Sequence, residues 1–173
     1  MGRKKPLLDE ILVLDLEATC WDDEISVQPE GVSNEIIEIG LATLNIQTGI
    51  ITRGDLWLVA PEESTVSEFC TQLTTWKQED VEQGMPFKAS CSLLRKGFSS
   101  KRRVFASWGN YDRRQFERQC TRMGVPYPFG PSHLNVKDLF ALQKRLTQQV
   151  NTMQAMEMIG MDPVGTWHVG RDD

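Results

Sequence analysis

Two acidic residues at the end of an apolar segment constrain the fold of this chain more than any other feature. Ile11-Leu12-Val13-Leu14 has the composition of a buried β-strand and is followed by Asp15-Leu16-Glu17. Because alternate residues of a strand point to the same face, both carboxylates leave the sheet on one side, where the strand ends. Two such charges about 6 Å apart repel by roughly 3 kcal/mol at an effective dielectric constant near 20. The pattern therefore predicts a cation here, and a hard divalent metal held by oxygen ligands suits it best.

The length and composition predict one globular domain over residues 1–173, since 173 residues with 40% apolar content can bury one sizeable core. No stretch approaches about 20 consecutive apolar residues, and Asp9 and Glu10 interrupt the N-terminal segment before it resembles a signal peptide. We therefore expect a soluble, cytoplasmic protein with no membrane partner. The net charge of −5 argues against a protein that coats nucleic acid, but not against a nucleic-acid enzyme whose clustered acids bind metal ions.

The order of β-prone and helical segments predicts an α/β fold. Three strands over 11–15, 35–44 and 50–59 form a meander, and two further strands are expected at 103–107 and 134–136. Helical periodicity and end signals predict helices over 64–73, 77–83, 86–98, 111–123, 138–147 and 152–159. This order predicts a five-stranded mixed sheet flanked by helices on both faces.

Asp112 is a third candidate acid, near the start of the helix predicted over 111–123. It shares the core-facing stripe of that helix with Phe116, Cys120 and Met123. An ordinary N-terminal helix residue, favoured by the helix dipole, is the alternative interpretation. If the first and fourth strands are adjacent and parallel, however, Asp112 emerges at the same sheet edge as Asp15 and Glu17.

The C-terminal segment carries a histidine followed by two acids. His168 lies between Gly165 and Gly170, and Asp172 and Asp173 end the chain. A surface-loop histidine is one interpretation, and a functional histidine beside the acidic pair is the other. Spacing alone does not choose between Asp172 and Asp173 as an inward-pointing ligand.

Five segments, in the same order along the chain, resemble the DEDDh 3′-to-5′ exonucleases of the DnaQ-like, RNase H-fold superfamily. Within it, the branch of histone-mRNA and small-RNA exoribonucleases and the bacterial KapD-type proteins is the most similar. Each segment alone is a weak signal, but five in the right order make chance agreement improbable. The segments are 14–21, 35–40, 67–74, 108–112 and 168–173.

The resemblance implies an RNase H-like exonuclease fold and a set of site residues. It implies that two Mg²⁺ or Mn²⁺ ions are bound by four acids: Asp15, Glu17, Asp112 and Asp173. Asp173 takes precedence over Asp172 because the family pattern places the acid five residues after the histidine. The catalytic residues are then Glu17 and His168, with His168 as the general base that takes a proton from the attacking water. The implied reaction is two-metal hydrolysis of the terminal phosphodiester of single-stranded RNA, or of short overhangs.

The resemblance also implies where the 3′ end of a nucleic acid lies. Ala18 and Thr19 are expected against the terminal nucleotide, with Thr19 near its 3′ hydroxyl. Trp21 or Tyr111 is expected to stack on a base, since aromatic stacking is tolerant of sequence. A half-buried loop aromatic is the alternative interpretation of Trp21.

The sequence also departs from the family pattern. Relatives continue into a helix after the last acid, whereas this sequence stops at Asp173, so we expect a domain truncated after the last metal-ligand motif or an impaired second metal site. Leu73-Thr74-Thr75-Trp76 also stands where relatives usually have Leu-Thr-Gly-Ile. The missing terminal helix motivates one alternative function, a catalytically weak nucleic-acid-binding module, and a DNA-directed, proofreading-type exonuclease is a further alternative.

Overall fold

Strand β1 (Glu10–Ala18) lies inside the sheet and carries Asp15 and Glu17 near its end. In this computed structural model, which describes residues 5–52 and 54–162, β1 pairs antiparallel with β2 (Ile36–Asn45). On its other side β1 pairs parallel with β6 (Val104–Ser107). The predicted parallel arrangement of the first and fourth long strands is confirmed, and it brings the ends of both strands to one edge of the sheet.

The remaining strands extend the sheet on both sides. Strand β2 also pairs with β3 (Ile51–Thr52) and β4 (Leu56–Ala60), and β4 pairs with β5 (Met85–Pro86). Beyond β6 lies β7 (His133–Asn135), parallel to it. Among the described residues the sheet order is β5-β4-β2-β1-β6-β7, with β3 beside β2. The mixed α/β sheet is the predicted one.

The sheet differs from the prediction in strand number. It contains seven strands within the described residues rather than five, because two strands of two residues, β3 and β5, add to the five longer ones. The predicted strand over 50–59 is divided around Gly54. There the chain passes so close to β2 that a Cβ atom would lie 1.3 Å from the Leu41 carbonyl oxygen. Only glycine permits this approach, and it separates β3 from β4.

Six helices connect the strands within 5–52 and 54–162. They are α1 (Glu68–Thr74), α2 (Gln78–Val81), α3 (Phe87–Gly97), α4 (Tyr111–Arg122), α5 (Val136–Lys144) and α6 (Thr152–Ile159). Helix α1 begins later than predicted, because the Ser67 hydroxyl caps it by accepting a hydrogen bond from the Cys70 amide. None of these helices is long and apolar enough to cross a bilayer.

The two faces of β1 have different surroundings. Leu12, Leu14 and Leu16 point into the main core, where the apolar residues of α3 and α4 cover them. Alternation along the strand places Asp15 and Glu17 on the opposite face. A register shift between Glu17 and Ala18 leaves Ile37 as an extra residue of β2, and it packs in a second, smaller apolar cluster with Cys70 and Val81.

Candidate active site

The first two candidate acids share one face of β1, as the sequence predicts. Glu17 is 8% exposed and lies directly opposite Glu38 of β2, whereas Asp15 is half-buried and lies opposite Gly40. Both lie beyond the last residue of β1 that pairs with β6, which is Val13. The β6 side of this segment is therefore open to other groups.

Asp112 occupies that position. It is the second residue of α4, which begins shortly after β6 ends, and only 5% of it is exposed. Its carboxylate accepts hydrogen bonds from the Leu16 backbone amide and the Ser107 hydroxyl. Because Leu16 lies between Asp15 and Glu17, this contact places the third acid beside the other two.

The electrostatics of this corner favour a cation. Burial raises the pKa of Asp112 above its ordinary value, and the hydrogen bonds from its own backbone, Ser107 and Leu16 offset only part of that effect. The neighbouring Tyr111 is 49% exposed, but partial burial raises its pKa to about 12, and the charges of Asp112 and Glu17 act in the same direction. A buried carboxylate with other acids around it is stabilised by a bound positive charge.

The acids fit a hard divalent metal in ligand type. Asp15, Glu17 and Asp112 offer carboxylate oxygens, which Mg²⁺ and Mn²⁺ prefer, and no soft sulfur ligand is involved. Within residues 5–52 and 54–162, no group of three or more His, Cys, Asp or Glu side chains is arranged so that it could hold a metal ion. The implied fourth acid, Asp173, and the implied base, His168, lie outside the described residues, so their roles stay predictions.

The predicted substrate-contacting residues divide into exposed and buried groups. Tyr111 presents its ring at the surface beside Asp112, and Trp21 is half-buried in the loop after β1. Ala18, the last residue of β1, is 4% exposed. Thr19 is fully buried, and its hydroxyl accepts a hydrogen bond from the Glu35 amide at 2.9 Å and lies 3.0 Å from the Ser64 hydroxyl. In this structure the Thr19 side chain therefore fixes the end of β1.

Glu35 also stabilises the end of β1. Its buried carboxylate accepts hydrogen bonds from the amides of Glu62, Glu63 and Ser64 and from the Ser64 hydroxyl, at 2.6 to 3.2 Å. Arg122 of α4 lies 3.4 Å from the other side of the carboxylate. Burial alone would raise the pKa of Glu35, but these hydrogen bonds outweigh it, so the pKa lies below its ordinary value.

Glu38 is an acid of this region that sequence reasoning missed. It is completely buried, it points to the same face as Glu17, and it accepts a hydrogen bond from the Trp76 indole N–H. The sequence carries a signal for it, because Glu38 interrupts the apolar strand residues Ile36, Ile37 and Ile39. A buried acid in such a segment needs a compensating partner.

A second missed feature connects Asp112 to β7. The Ser107 hydroxyl contacts the Asp112 carboxylate and lies 2.9 Å from Nε2 of His133. Its oxygen also lies 3.1 Å from the Gly109 carbonyl oxygen. The His133 ring packs against Phe105, with centroids 4.5 Å apart, which fixes its position. No sequence motif marks Ser107 and His133, since the contact depends on the pairing of Ser107 with Asn135 across β6 and β7.

Replacing Ser107 with alanine should lower the rate of metal-dependent cleavage by about 10-fold, because residues that orient metal-binding groups typically contribute 10- to 100-fold. The measurement is the initial rate of shortening of a labelled RNA across a Mg²⁺ titration. Ser92→Ala, which removes a hydroxyl on α3 that is hydrogen-bonded to Lys88, is the matched control. A wild-type rate and Mg²⁺ dependence in Ser107→Ala would show that Ser107 does not position Asp112.

The sequence comparisons with known proteins all match exonucleases. The pattern of the exonuclease family RNase_T matches residues 12–173. The chain is 29% identical to human ERI1 exoribonuclease 2 over 99% of its length, and it spans 28% of that protein. It is 25% identical to the 3′-5′ exonuclease Snipper of Drosophila melanogaster and to the probable 3′-5′ exonuclease KapD of Bacillus subtilis, spanning 64% and 79% of their lengths.

A solved structure agrees with these sequence relationships. The nuclease domain of 3′hExo, a DEDDh family member bound to rAMP, superimposes with a TM-score of 0.80 at 26% identity. The match covers 98% of this chain and 88% of that domain. Together with the corner formed by Asp15, Glu17 and Asp112, these matches show that the chain belongs to the exonuclease family, in which it is a relative of the DEDDh 3′-to-5′ exonucleases.

Proposed function

We propose that this protein is a metal-dependent 3′-to-5′ exonuclease that hydrolyses the terminal phosphodiester of single-stranded RNA or of short overhangs. The observation that carries the proposal is the interaction of the buried Asp112 of α4 with Leu16, the residue of β1 between Asp15 and Glu17. Parallel pairing of β1 with β6 produces this arrangement. The DEDDh relative with rAMP in its nuclease domain supports the same chemistry.

The proposed metal ligands are Asp15, Glu17, Asp112 and Asp173. Two Mg²⁺ or Mn²⁺ ions, when bound, supply the Lewis acidity that activates a water and stabilises the leaving 3′ oxygen. The remaining roles in the proposed reaction belong to side chains of the protein. Glu17 and Asp112, both largely buried, hold their carboxylates in fixed positions. His168 accepts the proton of the attacking water, for which a near-neutral pKa is suitable.

Substrate contact is proposed for four residues near the end of β1 and the start of α4: Ala18, Thr19, Trp21 and Tyr111. The exposed Tyr111 ring is the one most accessible for stacking, since 49% of it faces solvent. The close packing of Ala18 and Thr19 forms the wall against which a terminal nucleotide rests. We propose RNA rather than DNA as the substrate because the human relative is named an exoribonuclease.

The decisive experiment incubates a 5′-labelled single strand with the protein and Mg²⁺ or Mn²⁺. RNA and DNA of one sequence are compared, because only a contact to the 2′ hydroxyl distinguishes them. A ladder of 3′-shortened RNA that disappears in EDTA and in Asp15→Ala supports the proposal. Tight binding without shortening indicates a binding module instead, and faster shortening of DNA indicates a proofreading-type enzyme.

His168→Ala is expected to lower turnover by about 100-fold, at the lower end of the effect of a general base. Metal affinity should change little, because His168 is proposed to act on water and not as a ligand. Calorimetric titration with Mn²⁺ measures that affinity separately from the rate. A parallel loss of Mn²⁺ binding would show that His168 is a ligand.

A further inference from the structure

A basic groove lies at the end of the sheet opposite the acids. It has a volume of about 1340 Å³ and runs from the segment before β1, past the C-terminal end of α3 and the start of β6, to the first half of α4. Leu8, Val104 and Phe129 contribute apolar surface to it.

The groove concentrates positive charge in a chain whose net charge is −5. Seven basic residues line it, and two of them are neutralised: Arg103 pairs with Asp9 and Glu10, and Arg113 pairs with Glu117. For the other five, no carboxylate of the described residues lies within ion-pair distance. These five are Lys5, Arg95, Lys96, Lys101 and Arg102.

The proposed catalytic function does not use this charge. Strand β1 rises by about 3.3 Å per residue, so the groove, at the level of Ile11 and Val104, is about 20 Å from Glu17. One strand of a helical polynucleotide advances about 3.4 Å along the helix axis per nucleotide, so about six nucleotides span that distance. A nucleic acid whose 3′ end lies at the acids is thus long enough, after a few nucleotides, to reach the groove.

We infer that the groove binds the phosphodiester backbone of the substrate nucleic acid upstream of the 3′ end that is cut. This inference rests on the proposed function for the identity of the ligand. Two aromatic residues line the groove: Phe129, which is only 1% exposed, and Tyr127, which is half-buried. The five basic residues bind phosphates, which every nucleotide carries, so their contribution is electrostatic and independent of sequence, and it adds affinity only for substrates long enough to span both sites.

The test measures binding without cleavage. A 12-nucleotide RNA with a 5′ fluorescein is titrated with protein in EDTA, from 50 to 200 mM NaCl, by fluorescence anisotropy. The variant Lys96→Gln/Lys101→Gln removes two exposed charges of the groove, and Lys88→Gln/Lys144→Gln removes two exposed charges outside the groove. The groove variant should bind about 10-fold more weakly at 50 mM NaCl, and its salt slope should be smaller by about 1.4, since each phosphate contact on a single strand contributes about 0.7.

Cleavage provides an independent readout. The ratio of kcat/KM for the 12-mer to that for a dinucleotide should fall about 10-fold in the groove variant and stay at the wild-type value in the control. Binding and salt slopes equal to those of the control variant would overturn the inference. So would an RNA that fails to bind while poly-glutamate of equal charge binds through Lys96 and Lys101, because the ligand would then be an acidic protein.

The two proposals fail in different ways. If RNA is shortened in Mg²⁺ but the groove variant binds like the control, the groove assignment is wrong and the exonuclease stands. If no strand is shortened but the groove variant loses RNA affinity in EDTA, the groove stands and the chain is a binding module.

Discussion

Asp112→Asn is expected to reduce the rate of 3′-end shortening by about 10³- to 10⁴-fold, which corresponds to roughly 4 to 5.5 kcal/mol of transition-state stabilisation. The substitution keeps the shape of the side chain and its acceptor oxygen for the Leu16 amide, but it removes the charge needed to bind a divalent metal. Stability should not fall, however. Burial raises the pKa of Asp112, so the ionised form is disfavoured in the folded protein and a neutral amide avoids that cost.

Thermal unfolding in EDTA and in MgCl₂ separates the two effects. In EDTA the variant should unfold at the wild-type temperature or above it. Mg²⁺ should raise the wild-type unfolding temperature, since a ligand that binds only the folded state stabilises it, and should raise that of Asp112→Asn much less. Glu79→Gln, a carboxylate-to-amide change at a side chain that is 78% exposed, is the control. Equal Mg²⁺ stabilisation of all three proteins would show that Asp112 is not a metal ligand.

Much of the fold was predictable because its signals are local. The apolar run before Asp15, the β-prone segment that became β2 and the helical stripe of α4 each follow from residue periodicity over 5 to 12 positions. The missed strand, β5, contains two residues, which is too short for a periodic pattern. The division around Gly54 depends on a close approach to Leu41, a contact 13 residues away that no local pattern encodes.

Only part of the candidate site was predictable, because some of its residues are brought together by strand register and not by local sequence. The acids of β1 and α4 lie at the ends of secondary structure elements, where the sequence marks them clearly. Glu38 was missed because its relation to Glu17 requires the register of β1 against β2. The Ser107–His133 contact likewise requires the pairing of β6 with β7. Groups that support a site across strands are fixed by register, and register is set by the whole sheet.

Glu35→Ala is expected to destabilise the protein by about 3 to 5 kcal/mol, the largest stability effect we predict. Removing the carboxylate leaves the buried amides of Glu63 and Ser64 and the Ser64 hydroxyl without their acceptor, and each such loss costs about 1 to 3 kcal/mol. Urea unfolding measures the free-energy change. Glu63→Gln is the control, because Glu63 also pairs with Arg122 but is 57% exposed, and exposed pairs contribute about 0 to 1 kcal/mol.

The pH dependence of the unfolding free energy tests whether the destabilisation of Glu35→Ala comes from the loss of the Glu35 charge. Its pKa in the folded protein lies below the ordinary value of 4.5, so its contribution is complete above pH 4.5 and is lost as the pH falls below that value. The difference in unfolding free energy between wild type and Glu35→Ala should therefore shrink as the pH falls below 4.5. A difference that stays constant would mean that the cost comes from lost packing alone. Because the Glu35 carboxylate accepts a hydrogen bond from the Ser64 hydroxyl, which contacts Thr19, the same substitution should also loosen the end of β1 and lower the cleavage rate, whereas Glu63→Gln should not.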